Sequence, residues 1–501
     1  MNVGTVDWLS GGEGAVPAIV VPGGPTMTYA TLRSTVERLS GSLRAHGVGP
    51  GDRVALVLPG GLPAAVGFLA ASSTAAAAPL NPAYREDEFR FYLHDLAPRA
   101  LVTARGHHTA VAGAIPDGVL HFELDAEQPE PSLNVLTGVS GRRQGPAGDD
   151  GIALVLHTSG TTARPKMVPL TVNNLAASAR NIIGTLALSP ADRCLNVMPL
   201  FHIHGLVAGL LAPLVSGGSA VCPAGFDAFK FAGWVGQERP SWYTAVPTMH
   251  QVILQRTVPR PPGGPLSLRF IRSSSSALPP VVFEELEARF GVPVVEAYGM
   301  TEAAHQVTSN PLPPGRRKPG SVGAGHGVEV RVIDESGGEL PVGATGEVAI
   351  KGPNVMSGYL ADPEANTRAF ADGWFRTGDQ GFVDGGGYLH LTGRLKEIIN
   401  RGGEKISPRE VDEVLLRHPA VAQAVAFAIP HALLGEEVGA AVVLREGSDV
   451  GERELRGFAA ERLAAFKVPK TIVFLDQVPK GPTGKVQRVG LAERLGVGEK
   501  G

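Results

Sequence analysis

Between residues 52 and 300, short β-branched or apolar runs alternate with helical stretches, and this alternation constrains the fold more than any other feature. Residues 52–58, 152–157, 194–198, 242–246, 268–272 and 292–296 read as strands. Several of the intervening segments are rich in Ala and Leu at helical spacing, as in 280–290, where Phe283, Leu286 and Phe290 share a face. Such alternation predicts an α/β fold, with mixed or largely parallel sheets covered by helices. Ligands of these sheets bind outside the carboxyl ends of the strands. The loops after the strands are therefore the places to look for function.

Past residue 325 the texture changes to shorter strands with Gly-rich turns, at 328–333, 346–351 and 388–392, which predicts a small barrel-like antiparallel subdomain. A last module opens near Leu395. Ser407-Pro408-Arg409-Glu410 has the pattern of a capping box, with Pro at the first helical position and Val411, Val414 and Leu415 on one side. Strands are expected at 420–429, 438–444 and 471–475, with a helix over 452–465, enough for a separate small α+β domain. The expected division is 1–394 and 395–501.

Charge and composition remove several classes. Lys and Arg number 45 against 48 Asp and Glu, a net charge of -3, so the chain lacks the basic excess that nucleic-acid binding uses. An anionic ligand has to be held by a few placed groups. The two cysteines, Cys194 and Cys222, form neither a disulfide framework nor a metal-ligand spacing, and read as buried thiols in a reducing compartment. Residues 1–10 lack the basic start and apolar run of a signal peptide. The uncharged stretches 54–84 and 194–226 are broken by Pro59, Gly60, Gly61 and Pro63, and by Pro199, His202, His204 and Pro213, whereas a membrane span needs about 20 continuous apolar residues. The expectation is a soluble cytoplasmic protein with no membrane partner.

The sharpest local feature is Thr158-Ser159-Gly160-Thr161-Thr162-Ala163-Arg164-Pro165-Lys166, directly after a strand. Its hydroxyls, glycine and terminal cation suit a loop that cradles polyphosphate. It is not a Walker loop, and Gly484-Lys485 fails that pattern because Pro479 and Val486 replace the first Gly and the hydroxyl. After another strand, Glu296-Ala297-Tyr298-Gly299-Met300-Thr301-Glu302 offers an aromatic face for a base, a hydroxyl for a phosphate and a carboxylate for a hard cation. Gly378-Asp379 and Gly393-Arg394-Leu395-Lys396 bracket a short strand, Gly402 to Pro408 opens the last module, and Gly481-Pro482-Thr483-Gly484-Lys485-Val486-Gln487-Arg488 lies near the end.

In this order, from about residue 27 to 488, the motifs resemble those of the adenylate-forming superfamily of acyl-CoA synthetases, adenylation domains and luciferases. The resemblance implies a large N-terminal domain, a mobile C-terminal domain and the hinge between them. It also implies that a carboxylate attacks the α-phosphate of ATP and that the thiol of CoA then displaces AMP, with Mg²⁺ present. Residue by residue, Thr158, Ser159, Gly160, Thr161, Thr162 and Lys166 would wrap the β- and γ-phosphates. Tyr298 would stack on adenine beside Ser276, Ala277 and Ala297; Thr301 would touch the α-phosphate and Glu302 would hold Mg²⁺. Asp379 would bind the ribose, Arg394 the nucleotide, Lys396 would be the hinge, and Lys485 would bridge carboxylate and α-phosphate. Two departures stand out, Ala163 for a usual Gly and Asn400 for a frequent Lys.

Ser273-Ser274-Ser275-Ser276-Ala277 places Ser275 at a usual Gly, and Glu302-Ala303-Ala304-His305 puts an imidazole just past the metal carboxylate. With His202 and His204, these residues predict a narrow, polar acid pocket; Ser275 and His305 would contact the acid and His202 would gate it. Buried polar groups facing an apolar acid would each cost roughly 1–3 kcal/mol. The same blocks resemble the oxalyl-CoA synthetases of plants and fungi, which implies oxalate as the acid. The alternatives are another short, medium-chain or aromatic acid, or a separate carrier protein in place of CoA.

Overall fold

The computed structural model describes residues 8–107, 109–126, 130–137, 151–158, 165–256, 267–479 and 488–497. Two large sheets organise the N-terminal part. In the seven-stranded one the order is Ser132–Thr137, Leu120–Asp125, Ala100–Ala104, Arg53–Val57, Ala76–Pro79, Ile152–Thr158 and Lys166–Thr171. Its central pairs are parallel, with Val54 opposite Ala100 and Ala77 opposite Leu154, and its two edge strands are antiparallel. The nine-stranded sheet carries, side by side and parallel, Arg193–Asn196, Trp242–Ala245, Phe270–Ser273 and Val294–Met300. Both faces of these central strands are covered, which is why they read as apolar runs without alternation.

The helix Pro280–Phe290 shows how sequence becomes packing here. Pro280 sits in its first turn, Val282, Phe283 and Leu286 are buried, and Gly291 ends it in the left-handed conformation. The uncharged stretch 194–226 folds into the strand Arg193–Asn196, a π-helical segment His204–Leu211, the short helix Ala212–Val215 and the strand Ser219–Val221. A side chain at Gly205 would meet the Pro199 carbonyl oxygen at 2.2 Å, so only glycine lets this segment approach the loop before it. Among the described residues no helix is long and apolar enough to cross a membrane.

A third sheet, antiparallel, contains Glu329–Ile333, Gly346–Lys351, Trp374–Val383 and Leu389–Arg394. A fourth joins Ile399–Arg401, Glu404–Ile406, Val421–His431, Gly435–Leu444 and Thr471–Phe474, with its own apolar cluster around Ile399, Val411, Leu415, Val438 and Ile472. The capping box expected at Ser407 does not form. The helix Pro408–Leu416 has Ser407 at its N-cap, but the hydroxyl donates to the carbonyl of Thr392, and Glu410 pairs with Lys467. A carbonyl 15 residues upstream competes successfully with the helix's own N–H groups. The helix expected over 452–465 is shorter, Glu452–Ala460.

Candidate active site

The carboxyl ends of the central strands open into one cleft of about 980 Å³. On one side of it stands Tyr298, in the strand Val294–Met300, and its phenol donates to Oδ2 of Asp379. Nε of Arg394 meets the other carboxylate oxygen at 2.9 Å. Asp379 and Arg394 are register partners on the strands Trp374–Val383 and Leu389–Arg394, so the third sheet delivers both to the ring. Burial first, and then the Asp379 charge, hold the Tyr298 phenol far above its usual pKa, which keeps it a donor. Ser276, Ala277 and Ala297 line the same wall.

On the other side the cleft is lined by Thr158, Lys166, Thr301 and Glu302. Glu302 accepts a hydrogen bond from Tyr359 at 3.1 Å, and the Lys166 ammonium lies 4.4 Å from the centre of the Tyr359 ring. Tyr359 thus touches both the cation and the carboxylate. Ser159, Gly160, Thr161, Thr162, Ala163 and Lys485 lie outside the described residues. Lys396 lines the cleft next to the turn in which the amides of Glu397 and Ile398 donate to the Arg394 carbonyl. Across the opening stand Arg409, Asp412 and Glu413 from the helix Pro408–Leu416; Arg409 donates to the Leu391 carbonyl at 2.8 Å. Arg488 pairs with Asp412 at 2.5 Å and Glu397 at 3.4 Å.

Ser275 and His202 line the cleft, as does Phe201. Ser275 has φ of 71°, a left-handed conformation that a residue with Cβ adopts only under strain, and Ala304 and His305 are left-handed too. Behind Ser275, Nδ1 of His204 lies 3.0 Å from the serine hydroxyl, and its Nε2 lies 2.6 Å from Thr244. His305 is fully buried and stacks on His204 with ring centres 4.6 Å apart; it does not line the cleft, contrary to the contact expected from the sequence. Arg272, also fully buried, donates to His305 Nε2 at 3.1 Å and to Gln306 at 3.2 Å.

Arg272 and Tyr359 had not stood out in the sequence. The signal for Arg272 was present, since a guanidinium inside an otherwise apolar parallel strand is costly to bury and needs a reason. Tyr359 has no such signal, because Glu302, the carboxylate its hydroxyl meets, is 57 residues away in the chain. No group of three or more metal-ligating side chains occurs among the described residues, so His202 and His204 are not part of a built metal centre.

A family described as AMP-binding enzyme matches residues 11–360, and one described as AMP-binding enzyme C-terminal domain matches residues 410–485. The chain is 47% identical to an oxalate–CoA ligase of Arabidopsis thaliana over 492 residues, 95% of each chain. It is 44% identical to an oxalate–CoA ligase of Saccharomyces cerevisiae over 472 residues, covering 88% of this chain and 86% of that one. In three dimensions it resembles ATP-bound MatB from Rhodopseudomonas palustris, with a TM-score of 0.84, 32% identity and 96% of each chain covered. Three sheets bring an aromatic ring, an aspartate, a glutamate and a lysine to one cleft, and the family matches span most of the sequence: this chain belongs to the AMP-binding enzyme family.

Proposed function

We propose that this chain, an AMP-forming acid–CoA ligase, takes oxalate as its acid. The observation that carries the reading is the floor of the cleft, where Ser275 and the His204–His305 pair behind it close the acid end with hydrogen-bonding groups. A long or aromatic acid would leave the Ser275 hydroxyl facing apolar atoms, whereas a second carboxylate accepts its hydrogen bond. The names of the two oxalate–CoA ligases at 47% and 44% identity support the same choice.

In the first step a carboxylate oxygen of the acid bonds to the α-phosphorus of ATP, and the bond from that phosphorus to pyrophosphate breaks. Two anions must approach, so the protein's contribution is placed positive charge and donors rather than a nucleophile or a general base. Lys166 on the phosphate side and Arg394 on the ribose side flank the cleft. Lys485 is assigned to the junction of carboxylate and α-phosphate, and Thr301 to the α-phosphate. Glu302, a buried carboxylate facing the phosphate side, is the hard oxygen donor that suits Mg²⁺. That ion would supply charge neutralisation to the polyphosphate.

Asp379 is assigned to the ribose hydroxyls, and in this structure its two oxygens are taken by Tyr298 and Arg394. Ribose therefore exchanges with the Tyr298 phenol rather than filling an open acceptor. In the second step the sulfur of CoA bonds to the acyl carbon, the bond from that carbon to AMP breaks, and the thiol proton leaves to solvent. A rotation about Lys396 that withdraws Lys485 would give the thiol its access.

The test is AMP release, with and without CoA, from oxalate, malonate, acetate, octanoate and 4-coumarate. Oxalate is expected to give the highest kcat/KM, with release dependent on CoA. A preference for octanoate or 4-coumarate would reject the reading of the floor, and CoA-independent turnover would reject CoA as the acceptor.

A further inference from the structure

Among the described residues, Arg272 is a buried cation without a counter-ion. Its side chain is fully enclosed, and the four groups it meets are all neutral: His204, Thr244, His305 and Gln306. Its Nε atom has no hydrogen-bond acceptor. Three half-buried arginines of the protein show the usual solution: Arg376 meets Glu347, Arg401 meets Glu437 and Arg488 meets Asp412. Burial pushes the Arg272 guanidinium down to about 9, which leaves it protonated at neutral pH. A charge in this position is costly unless something negative comes near it.

The direction of the hydrogen bonds follows from its chemistry. A guanidinium only donates. Nη1 of Arg272 lies 3.1 Å from Nε2 of His305 and 3.3 Å from Nε2 of His204, and it also donates to the Thr244 oxygen, whose own proton then points to His204 Nε2 at 2.6 Å; both ring nitrogens thus act as acceptors and both rings carry their proton on Nδ1. His204 Nδ1 then donates to the Ser275 oxygen at 3.0 Å. With its lone pair engaged from behind, the Ser275 hydroxyl turns its own proton to the cleft it lines. Every bond in the chain from Arg272 through His204 to Ser275 thus runs toward the acid.

We infer that Arg272 is a specificity-determining positioning residue: it fixes His204 and Ser275 as donors, and its charge selects an acid with a second carboxylate. This rests on the proposed function and deepens it, because it names the substrate class as dicarboxylates rather than short acids in general. Arg272 does not touch the acid. It acts through the hydroxyl and through the field of a cation held in a poorly screened interior.

The experiment compares oxalate with glyoxylate, which keeps the length and one carboxylate but has an aldehyde in place of the second. Wild type, R272M and R272K are assayed by AMP release with saturating ATP and CoA. R272M is expected to lower kcat/KM for oxalate by about 100-fold while that for glyoxylate falls less than about 3-fold. R272K, which keeps the charge, should recover at least a tenth of the oxalate activity. Equal losses with both acids, or no loss, would overturn the inference and leave the ligase reading intact. If the variants do not fold, or if the wild type activates neither acid so that the proposed function fails, the imidazole protons of ¹⁵N-labelled wild type decide. Neutral His204 and His305 with the proton on Nδ1, assigned through H204Q and H305Q, support the inference; a proton on Nε2 of either ring overturns it.

Discussion

Replacing Ser275 by glycine and by alanine separates two roles that one residue combines. Both variants lose the hydroxyl that His204 meets at 3.0 Å, so both lose stability by about 1–3 kcal/mol relative to wild type before any backbone effect. Alanine keeps the left-handed φ of 71°, which costs a residue with Cβ roughly 1–2 kcal/mol. Glycine removes that strain but adds roughly 0.5–1 kcal/mol of unfolded-chain entropy. The difference leaves glycine more stable than alanine by about 0.75 kcal/mol at mid-range, with limits of about 0 and 1.5 kcal/mol. Urea midpoints at unchanged m-value measure it. In catalysis the two should behave alike. A lost hydrogen bond to a charged acid is worth about 1.5–3 kcal/mol, a fall of about 10- to 150-fold in kcat/KM for oxalate, with acetate little changed. If alanine is as stable as glycine or more so, the backbone at Ser275 is not strained. If the oxalate-to-acetate ratio stays at the wild-type value, the hydroxyl plays no part in recognition.

Lys485→Ala should abolish adenylate formation, measured as ATP–pyrophosphate exchange, while thiolation of supplied acyl-adenylate continues; parallel loss of both would contradict the role assigned to it. Tyr298→Phe frees one oxygen of Asp379, so calorimetry should find ATP bound about 5-fold tighter, near the 1 kcal/mol of one hydrogen bond, and weaker binding would dispose of the exchange of ribose for phenol. Glu296 is fully enclosed, and burial, opposed by Arg409, raises its carboxyl to about 7. A raised acid is fully stabilising below the unfolded value of 4.5 and loses that contribution as pH climbs through 7, a change of roughly 3 kcal/mol. Glu296→Gln should therefore gain stability over wild type at pH 8 relative to pH 5, and an identical difference at both pH values would show that Glu296 does not titrate in this window.

How much could be read in the sequence depended on how local the cause was. The central strands were found to within a few residues because being covered on both faces makes them apolar throughout, and the helix Pro280–Phe290 carried its own start, face and stop. Tyr298 and Glu302 sit at and just past the end of a parallel strand, where ligands of such sheets are expected, so their segment was visible before its contacts were. What escaped was non-local. Ser407 carries a helix-start signature, and its hydroxyl went instead to a strand of the third sheet. His305 was expected against the acid, but the left-handed turn at Ala304 and His305 directs the ring behind Ser275. Arg272 gained its meaning only when parallel register set its strand beside Thr244, within reach of the His204 ring.

The hydroxyl of Ser407 also bears on the freedom of the last module. It stands at the first turn of Pro408–Leu416, yet donates across to Thr392. Should the module lift away, that bond is surrendered, but the same hydroxyl then becomes available to the amides of its own helix, an N-cap worth about 1 kcal/mol. The bond lost and the cap gained are of similar size. Ser407 can thus act as a counterweight, keeping the seated and lifted arrangements near balance at this contact and leaving the bound substrate to tip it.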